Sequence, residues 1–149
     1  FPSKADLFVE VLDSAVTHEI EVLRTVVNGV GSAKLRLRGA VELFAKRALE
    51  GPHLAYAFIA EPTDPEVEAA RILCRRRFGA VFEEVIRSGI KSKEFATQSA
   101  EISAACIVGA FTEALIRPVA PSGRQDSTRK LVKSIADFCV RAAIGDSQG

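Results

Sequence analysis

The sequence predicts an all-α fold, a bundle of about six helices, on the basis of three observations. Apolar residues recur every three or four positions along most of the chain, as they do on the buried face of an amphipathic helix. Helix start and stop signals separate the segments that carry this pattern. Of the 149 residues, 48% are hydrophobic and 26% are charged, so we expect one soluble globular domain with a single core.

Local signals place each helix in turn, and we predict helices over residues 3–27, 32–50, 52–60, 65–88, 97–117 and 127–144. In the first helix, Ser3 is the N-cap, and the glycines that follow Asn28 end it. Ser32 caps the second helix. Within that helix residues 34–38 alternate as a strand would, but no nearby segment resembles a partner strand, so a helix is favoured.

Proline and glycine residues set the bounds of the remaining helices. Gly51-Pro52 begins a short third helix, and Asp64-Pro65 caps and begins the fourth. Gly89 is expected to end the fourth helix. The fifth helix is rich in small residues, which allow another helix to approach closely, and a loop is expected from Pro118 to Gly123.

Charge, hydropathy and cysteine content exclude several classes of protein. The net charge is +1, so the body of the chain is not an electrostatic nucleic-acid binder by itself. No uninterrupted apolar stretch approaches the roughly 20 residues that cross a bilayer, so no membrane association is predicted. Three cysteines, an odd number, lie in helix-like apolar segments: Cys74, Cys106 and Cys139. We interpret them as small, reduced core residues, which favours a cytoplasmic location.

The sharpest motif is the opening octapeptide, Phe1-Pro2-Ser3-Lys4-Ala5-Asp6-Leu7-Phe8. A cation in the first turn of a helix is unfavourable unless an anion lies nearby, so Lys4 indicates a phosphate contact. The pattern Phe-x-Ser-Lys-x-x-Leu resembles the end of the DNA-binding head of tetracycline-repressor (TetR) family regulators, where a long connecting helix starts. The order of long and short helices in the rest of the chain is also similar to the body of these regulators.

The resemblance implies a division of the chain. Residues 1–8 would be a remnant of the head and the start of the connecting helix, and residues 9–149 would be an effector-binding and dimerisation domain. Nothing before Phe1 could form the helix-turn-helix, and the chain contains no Met, so we expect a body whose head is missing. Operator DNA would then be bound only through that missing head.

The resemblance also implies a small-molecule effector, apolar or aromatic, in a cavity beside the short third helix. Candidate ligand-binding residues are Phe44, His53, Tyr56, Arg71, Cys74, Phe78, Phe82, Ile107, Phe111 and Glu113. Such sites are mostly apolar with a few polar groups that fix orientation. The alternative is a filled core without a cavity.

In the family, the last two helices pair with their copies across a two-fold axis, so the resemblance implies a homodimer. Candidate interface residues are Ala104, Ile107, Val108, Phe111, Leu115, Leu131, Ile135, Phe138 and Ala142. The fifth helix has apolar residues on most sides, more than one buried stripe requires. The alternative is that these residues close the core of the monomer.

Other local patterns do not support a metal or a cofactor. Glu50 and His53 have a spacing used in di-iron bundles, but Gly51-Pro52 interrupts the helix between them. His18-Glu19 lacks the second histidine of a zinc-protease motif. Cys74 beside Arg75 would suit a redox sensor, but its apolar stripe favours inert packing.

The preferred interpretation is therefore a regulator, most simply a repressor, and not an enzyme. A second hypothesis is a free-standing helical carrier that binds a small molecule and never contacts DNA. A third hypothesis, ranked last, is a small enzyme that uses Cys74 or His53.

Overall fold

The computed structural model describes residues 3–121 and 127–146, and within them the chain forms six helices. The all-α prediction is confirmed. Phe1 and Pro2 of the opening motif and part of the loop predicted after Pro118 lie outside the described residues. The helices are α1 Lys4–Val27, α2 Ala33–Glu50, α3 Pro52–Ile59, α4 Pro65–Lys91, α5 Ala100–Val119 and α6 Thr128–Ile144.

Serine caps begin four of the helices, as side-chain oxygens accept bonds from amides of the first turn. Ser3 and Asp6 form a reciprocal capping box on α1, in which Ser3 Oγ accepts from the Asp6 amide at 3.1 Å. The Ser3 backbone N–H donates to the Asp6 carboxylate and, with the Ser3 hydroxyl, lowers the pKa of Asp6. Ser32, Ser99 and Ser127 cap α2, α5 and α6 in the same way. Residues 34–38 are helical, which settles the strand alternative.

Two predicted helix ends are wrong, and packing explains the first. α4 continues past Gly89 to Lys91, and Gly89 is buried within the helix. The Phe95 amide donates to the Gly89 carbonyl at 3.0 Å, so the chain turns back onto the helix immediately after it ends. α5 extends through Pro118 to Val119, so the proline lies in its last turn and does not begin the loop.

The core lies between α4 and α5, with α2 packed against both. Phe78 and Phe82 of α4 and Phe111 of α5 are among its largest fully buried side chains. Phe82 and Phe111 have ring centroids 5.2 Å apart. α1 covers α4 on one side, and α6 packs on α2.

Polar contacts at one end of the bundle join segments distant in sequence. Arg36 of α2 donates to the Val27 carbonyl at 2.8 Å and to the Ser88 hydroxyl at 2.8 Å, so it satisfies the end of α1 and binds α4. The Glu94 carboxylate accepts from the amides of Ala33 and Lys34, at 3.1 and 3.2 Å. α2 therefore has a second N-terminal cap, supplied by the loop between α4 and α5.

One helix in the described part of the chain, Ala100–Val119, is long and apolar enough to cross a membrane by length and composition alone, with a mean hydropathy of 1.5. Its buried residues include Ala104, Ile107 and Leu115, and it packs against α3 and α4.

Candidate functional site

A cavity of about 300 Å³ lies where α1, α2, α3 and α4 meet. Its size is at the lower end of the range for small-molecule sites. The lining residues are mostly apolar: Leu12, Ala15, Val16, Glu19, Phe44, Arg47, Ala48, Glu50, Gly51, Leu54, Ala55, Phe58, Ile59 and Phe78.

The cavity follows from the short third helix. Gly51 and Pro52 break the chain after α2, and α3 has only eight residues, whereas α2 has 18 and α4 has 27. A short helix between longer neighbours leaves their side chains unmatched over part of their length. Leu54, 47% exposed, stands at the boundary between this cavity and solvent.

Three aromatic rings form one wall of the cavity. The Phe44 and Phe78 rings meet edge to face with centroids 5.1 Å apart, and the Phe58 ring lies 5.5 Å from that of Phe78. All three side chains are buried. Edge-to-face and tilted contacts of this kind stabilise the arrangement of the three rings.

Three other lining residues are charged: Glu19, Arg47 and Glu50. Arg47 donates from Nε and Nη2 to the two carboxylate oxygens of Glu19, at 2.5 and 2.7 Å. This bidentate pair joins α2 to α1. It raises the pKa of Arg47, and the nearby Glu50 carboxylate adds to the effect.

The predicted ligand residues divide into two groups. Phe44 and Phe78 line the cavity beside α3. Phe82, Ile107, Phe111 and Cys74 are buried in the core and are not among the lining residues. Burial raises the pKa of the Cys74 thiol, so it is a neutral packing residue.

The polar residues of the predicted set lie away from the cavity lining. His53 and Glu113 are exposed, and Tyr56 is partly buried. Arg71 is 4% exposed; its Nε donates to the Ala57 carbonyl at 3.0 Å, and its guanidinium also contacts Glu68. Arg71 of α4 therefore joins that helix to the C-terminal end of α3.

Sequence reasoning missed the contribution of α1, which supplies Leu12, Ala15, Val16 and Glu19. A signal was present: Glu19 follows Leu12 and Val16 on the same helical face, where a carboxylate needs a partner. That partner, Arg47, is 28 residues away on another helix, and local spacing cannot reveal it.

The predicted dimer residues also fall into two groups. Ala104, Ile107, Val108, Phe111, Leu115 and Ile135 are buried within the protomer, the arrangement expected if they close its own core. Leu131 is partly buried, Ala142 is exposed and Phe138 is 54% exposed.

The outward face of α5 carries further apolar residues that sequence reasoning did not select. Ile102 is 61% exposed, and Ala105, Cys106 and Gly109 are also exposed. The prediction that all three cysteines lie in the core is therefore wrong for Cys106, because it projects from the side of α5 opposite the buried stripe. Cys74 and Cys139 are buried, and burial raises the pKa of Cys139 to about 11.

Two further charged residues, Lys4 and Arg77, lie outside the cavity lining. Lys4 is exposed in the first turn of α1. Arg77 donates to Asp13 at 2.8 Å and to Thr17 at 2.7 Å, and so joins α4 to α1.

Within residues 3–121 and 127–146, no group of three histidine, cysteine or acidic side chains is placed to hold a metal ion.

The six-helix bundle is the fold of the C-terminal domain of TetR-type transcriptional regulators. The sequence family described as the tetracyclin repressor-like C-terminal domain matches residues 30–143. The chain belongs to this family, and the resemblance noted in the sequence is confirmed.

Solved structures of regulators share the fold. A TetR/AcrR-family transcriptional regulator from Thermobifida fusca is 21% identical with a TM-score of 0.71, covering 94% of this chain and 74% of its own. A TetR-family regulator from Syntrophomonas wolfei is 16% identical with a TM-score of 0.80, covering 97% of this chain and 75% of its own. Reduced NemR from E. coli is 13% identical with a TM-score of 0.68, covering 97% of this chain and 76% of its own. No curated protein sequence matches.

Proposed function

We propose that this chain is the effector-binding and dimerisation body of a cytoplasmic TetR-type transcriptional repressor. The single observation that supports the proposal best is the cavity of about 300 Å³ against α1. In this proposal a helix-turn-helix head, joined to the N-terminal end of α1, binds operator DNA. Lys4 adds a phosphate contact, which contributes affinity and not sequence choice.

The cavity and α1 give a direct route from ligand to DNA. Leu12, Ala15 and Val16 of α1 are themselves walls of the cavity. A ligand that fits poorly with one position of α1 and well with another shifts the equilibrium between them. Arg77 binds Asp13 and Thr17, so a movement of α1 is coupled to α4.

Dimerisation uses the outward faces of α5 and α6. Ile102 and Phe138 are large exposed apolar side chains on these helices, and Ala105 and Gly109 allow close approach. An isologous contact through such a face places two heads at a fixed separation, as a palindromic operator requires.

A fluorescent probe tests the cavity. N-phenyl-1-naphthylamine is neutral, aromatic and brightens in apolar surroundings, and we expect one molecule to bind per chain. Ala15→Phe places a ring in the cavity and should abolish that binding, because Ala15 is a partly exposed lining residue. Ala69→Phe, at an exposed position of α4, is the matched control and should bind normally.

Equal fluorescence from both variants would show that the probe binds elsewhere, and the cavity would lose its role. A free-standing carrier would also bind the probe. The two functions separate when the chain is joined to a helix-turn-helix head and tested for ligand-dependent release of operator DNA.

A further inference from the structure

The cavity described above carries an excess of negative charge. Three of its lining residues are charged: Glu19, Arg47 and Glu50. Glu19 and Arg47 neutralise each other in a bidentate pair, so Glu50 leaves the site with a formal charge of −1. The neighbouring Lys46 of α2 and His18 of α1 are not among the residues that line the cavity.

Arg47 is poorly placed to receive an anionic ligand. Its Nε and Nη2 already donate to Glu19, and guanidinium groups bind carboxylates through this same fork. The remaining N–H donors of Arg47 are available to a ligand carboxylate, but that carboxylate would face Glu50, which acts on Arg47 through space. The occupied fork and the Glu50 charge both disfavour an anion.

The part of the cavity near Glu50 suits a cation. Glu50 is exposed at the C-terminal end of α2, where the helix dipole adds negative potential. The Phe44, Phe58 and Phe78 rings line the cavity and offer contact area to an apolar body. A ligand with an apolar body and a cationic end would place the body among the rings and the charge toward Glu50.

We propose that the effector of this cavity is an apolar or aromatic molecule with one positive charge, an organic amine or a quaternary ammonium ion. The proposal rests on the proposed function, since it names the ligand class of the same site.

Three small probes of similar shape separate charge from apolar contact. Benzyltrimethylammonium is a permanent cation, neopentylbenzene is its neutral isostere, and 3-phenylpropanoate is an anion of comparable size. Ligand-observed NMR titrations give the dissociation constant of each with the whole chain. We expect the cation to bind about tenfold more tightly than the anion, because Glu50 attracts the cation and repels the anion.

Glu50→Gln removes the excess charge with little change in shape. We expect it to weaken binding of the cation about fivefold and to leave neopentylbenzene within about twofold. Glu21→Gln, on the exposed face of α1, makes the same change in net charge and should alter neither constant.

The outcomes are distinguishable. Tighter binding of 3-phenylpropanoate, or an unchanged cation affinity in Glu50→Gln, would overturn the charge assignment and leave the cavity as an effector site. Failure of all three probes to bind, with N-phenyl-1-naphthylamine also unbound, would overturn the proposed function itself.

Discussion

The phenyl ring of Phe95 occupies the space that a side chain at position 89 would need. A Cβ on Gly89 would lie 2.0 Å from Cδ2 of Phe95 and 2.3 Å from Cε2. Phe95 is only 3% exposed, and its amide donates to the Gly89 carbonyl. The absent side chain of Gly89 therefore lets the loop after α4 fold back against the helix.

Replacement of Gly89 should destabilise the fold, because Phe95 packs in the space that the glycine leaves free. Gly89→Ala forces Phe95 out of its buried position, and we expect the free energy of unfolding to fall by about 1–3 kcal/mol in urea titrations followed by circular dichroism. Gly79→Ala in the same helix is the control, because a Cβ there would meet nothing within 4 Å in the described part of the chain. The free energy of unfolding of that variant should rise by about 0.5–1 kcal/mol. Equal effects from both substitutions would contradict the packing argument.

The Glu94 cap on α2 should make stability depend on pH. The Ser92 hydroxyl, followed by the Lys34 and Ala33 amides, lowers the pKa of Glu94 in the folded protein. The folded state therefore binds this proton less readily than the unfolded state. The stabilisation is complete above about pH 4.3, the ordinary pKa of glutamate, and is lost as the pH falls through the lower folded value.

Glu94→Gln measures that contribution. We expect the free energy of unfolding to fall by about 0.5–1 kcal/mol at pH 7, in the range of helix caps at partly exposed sites. The difference in this free energy from the natural protein should become smaller as the pH falls below 4.3. Glu21→Gln serves as the charge control and should show no such convergence. A difference that is constant with pH would assign the effect to shape and not to the ionised cap.

The three thiols should differ in reactivity. Cys106 is exposed, whereas Cys74 and Cys139 are buried and burial raises the pKa of both. With 5,5′-dithiobis(2-nitrobenzoate) at pH 8, at protein concentrations below the dimer dissociation constant, we expect one fast thiol per folded chain, and none in Cys106→Ser. Three fast thiols in the folded protein would contradict the packing of α4 and α6.

The proposed dimer also predicts how Cys106 reacts. Because Cys106 lies beside Ile102 on the outward face of α5, its reaction should slow as protein concentration rises and the partner covers it. A rate that does not change across the dimerisation range would show that α5 stays exposed.

Phe138 tests the interface directly. Phe138→Asp places two carboxylates in the proposed contact, and we expect the dimer dissociation constant to rise on the order of 100-fold in sedimentation velocity experiments. Val30→Asp is the control, since Val30 is an exposed apolar residue in the loop between α1 and α2. If both variants sediment like the natural protein, the interface lies elsewhere.

Local sequence signals were sufficient for most of the helices. Ser3, Ser32 and the Gly51-Pro52 break act within one turn of the chain, so their effect can be recognised without tertiary information. Gly89 was misinterpreted because its role is not local: it accommodates Phe95, which reaches it only after the chain turns. Glycine at a helix stop and glycine under an aromatic ring look the same in sequence.

The candidate site was less predictable than the fold. Phe44 and Phe78 could be selected as aromatic residues facing a short helix. The cavity wall from α1 and the Glu19–Arg47 pair depend on how α1 and α2 are rotated against each other. Cys106 was misplaced for a related reason: apolar residues surround most of α5, so periodicity alone does not show which side faces the core.

The position of the cavity along α1 has a mechanical consequence. Arg24 binds Glu84 at 2.6 Å near the C-terminal end of the helix, and this contact can serve as a pivot. At 1.5 Å per residue, Ala15 lies about 13 Å from Arg24 and Lys4 lies about 30 Å from it. A tilt of α1 about this contact that moves Ala15 by about 1 Å therefore moves Lys4 by about 2 Å. The length of α1 alone doubles a small displacement at the cavity.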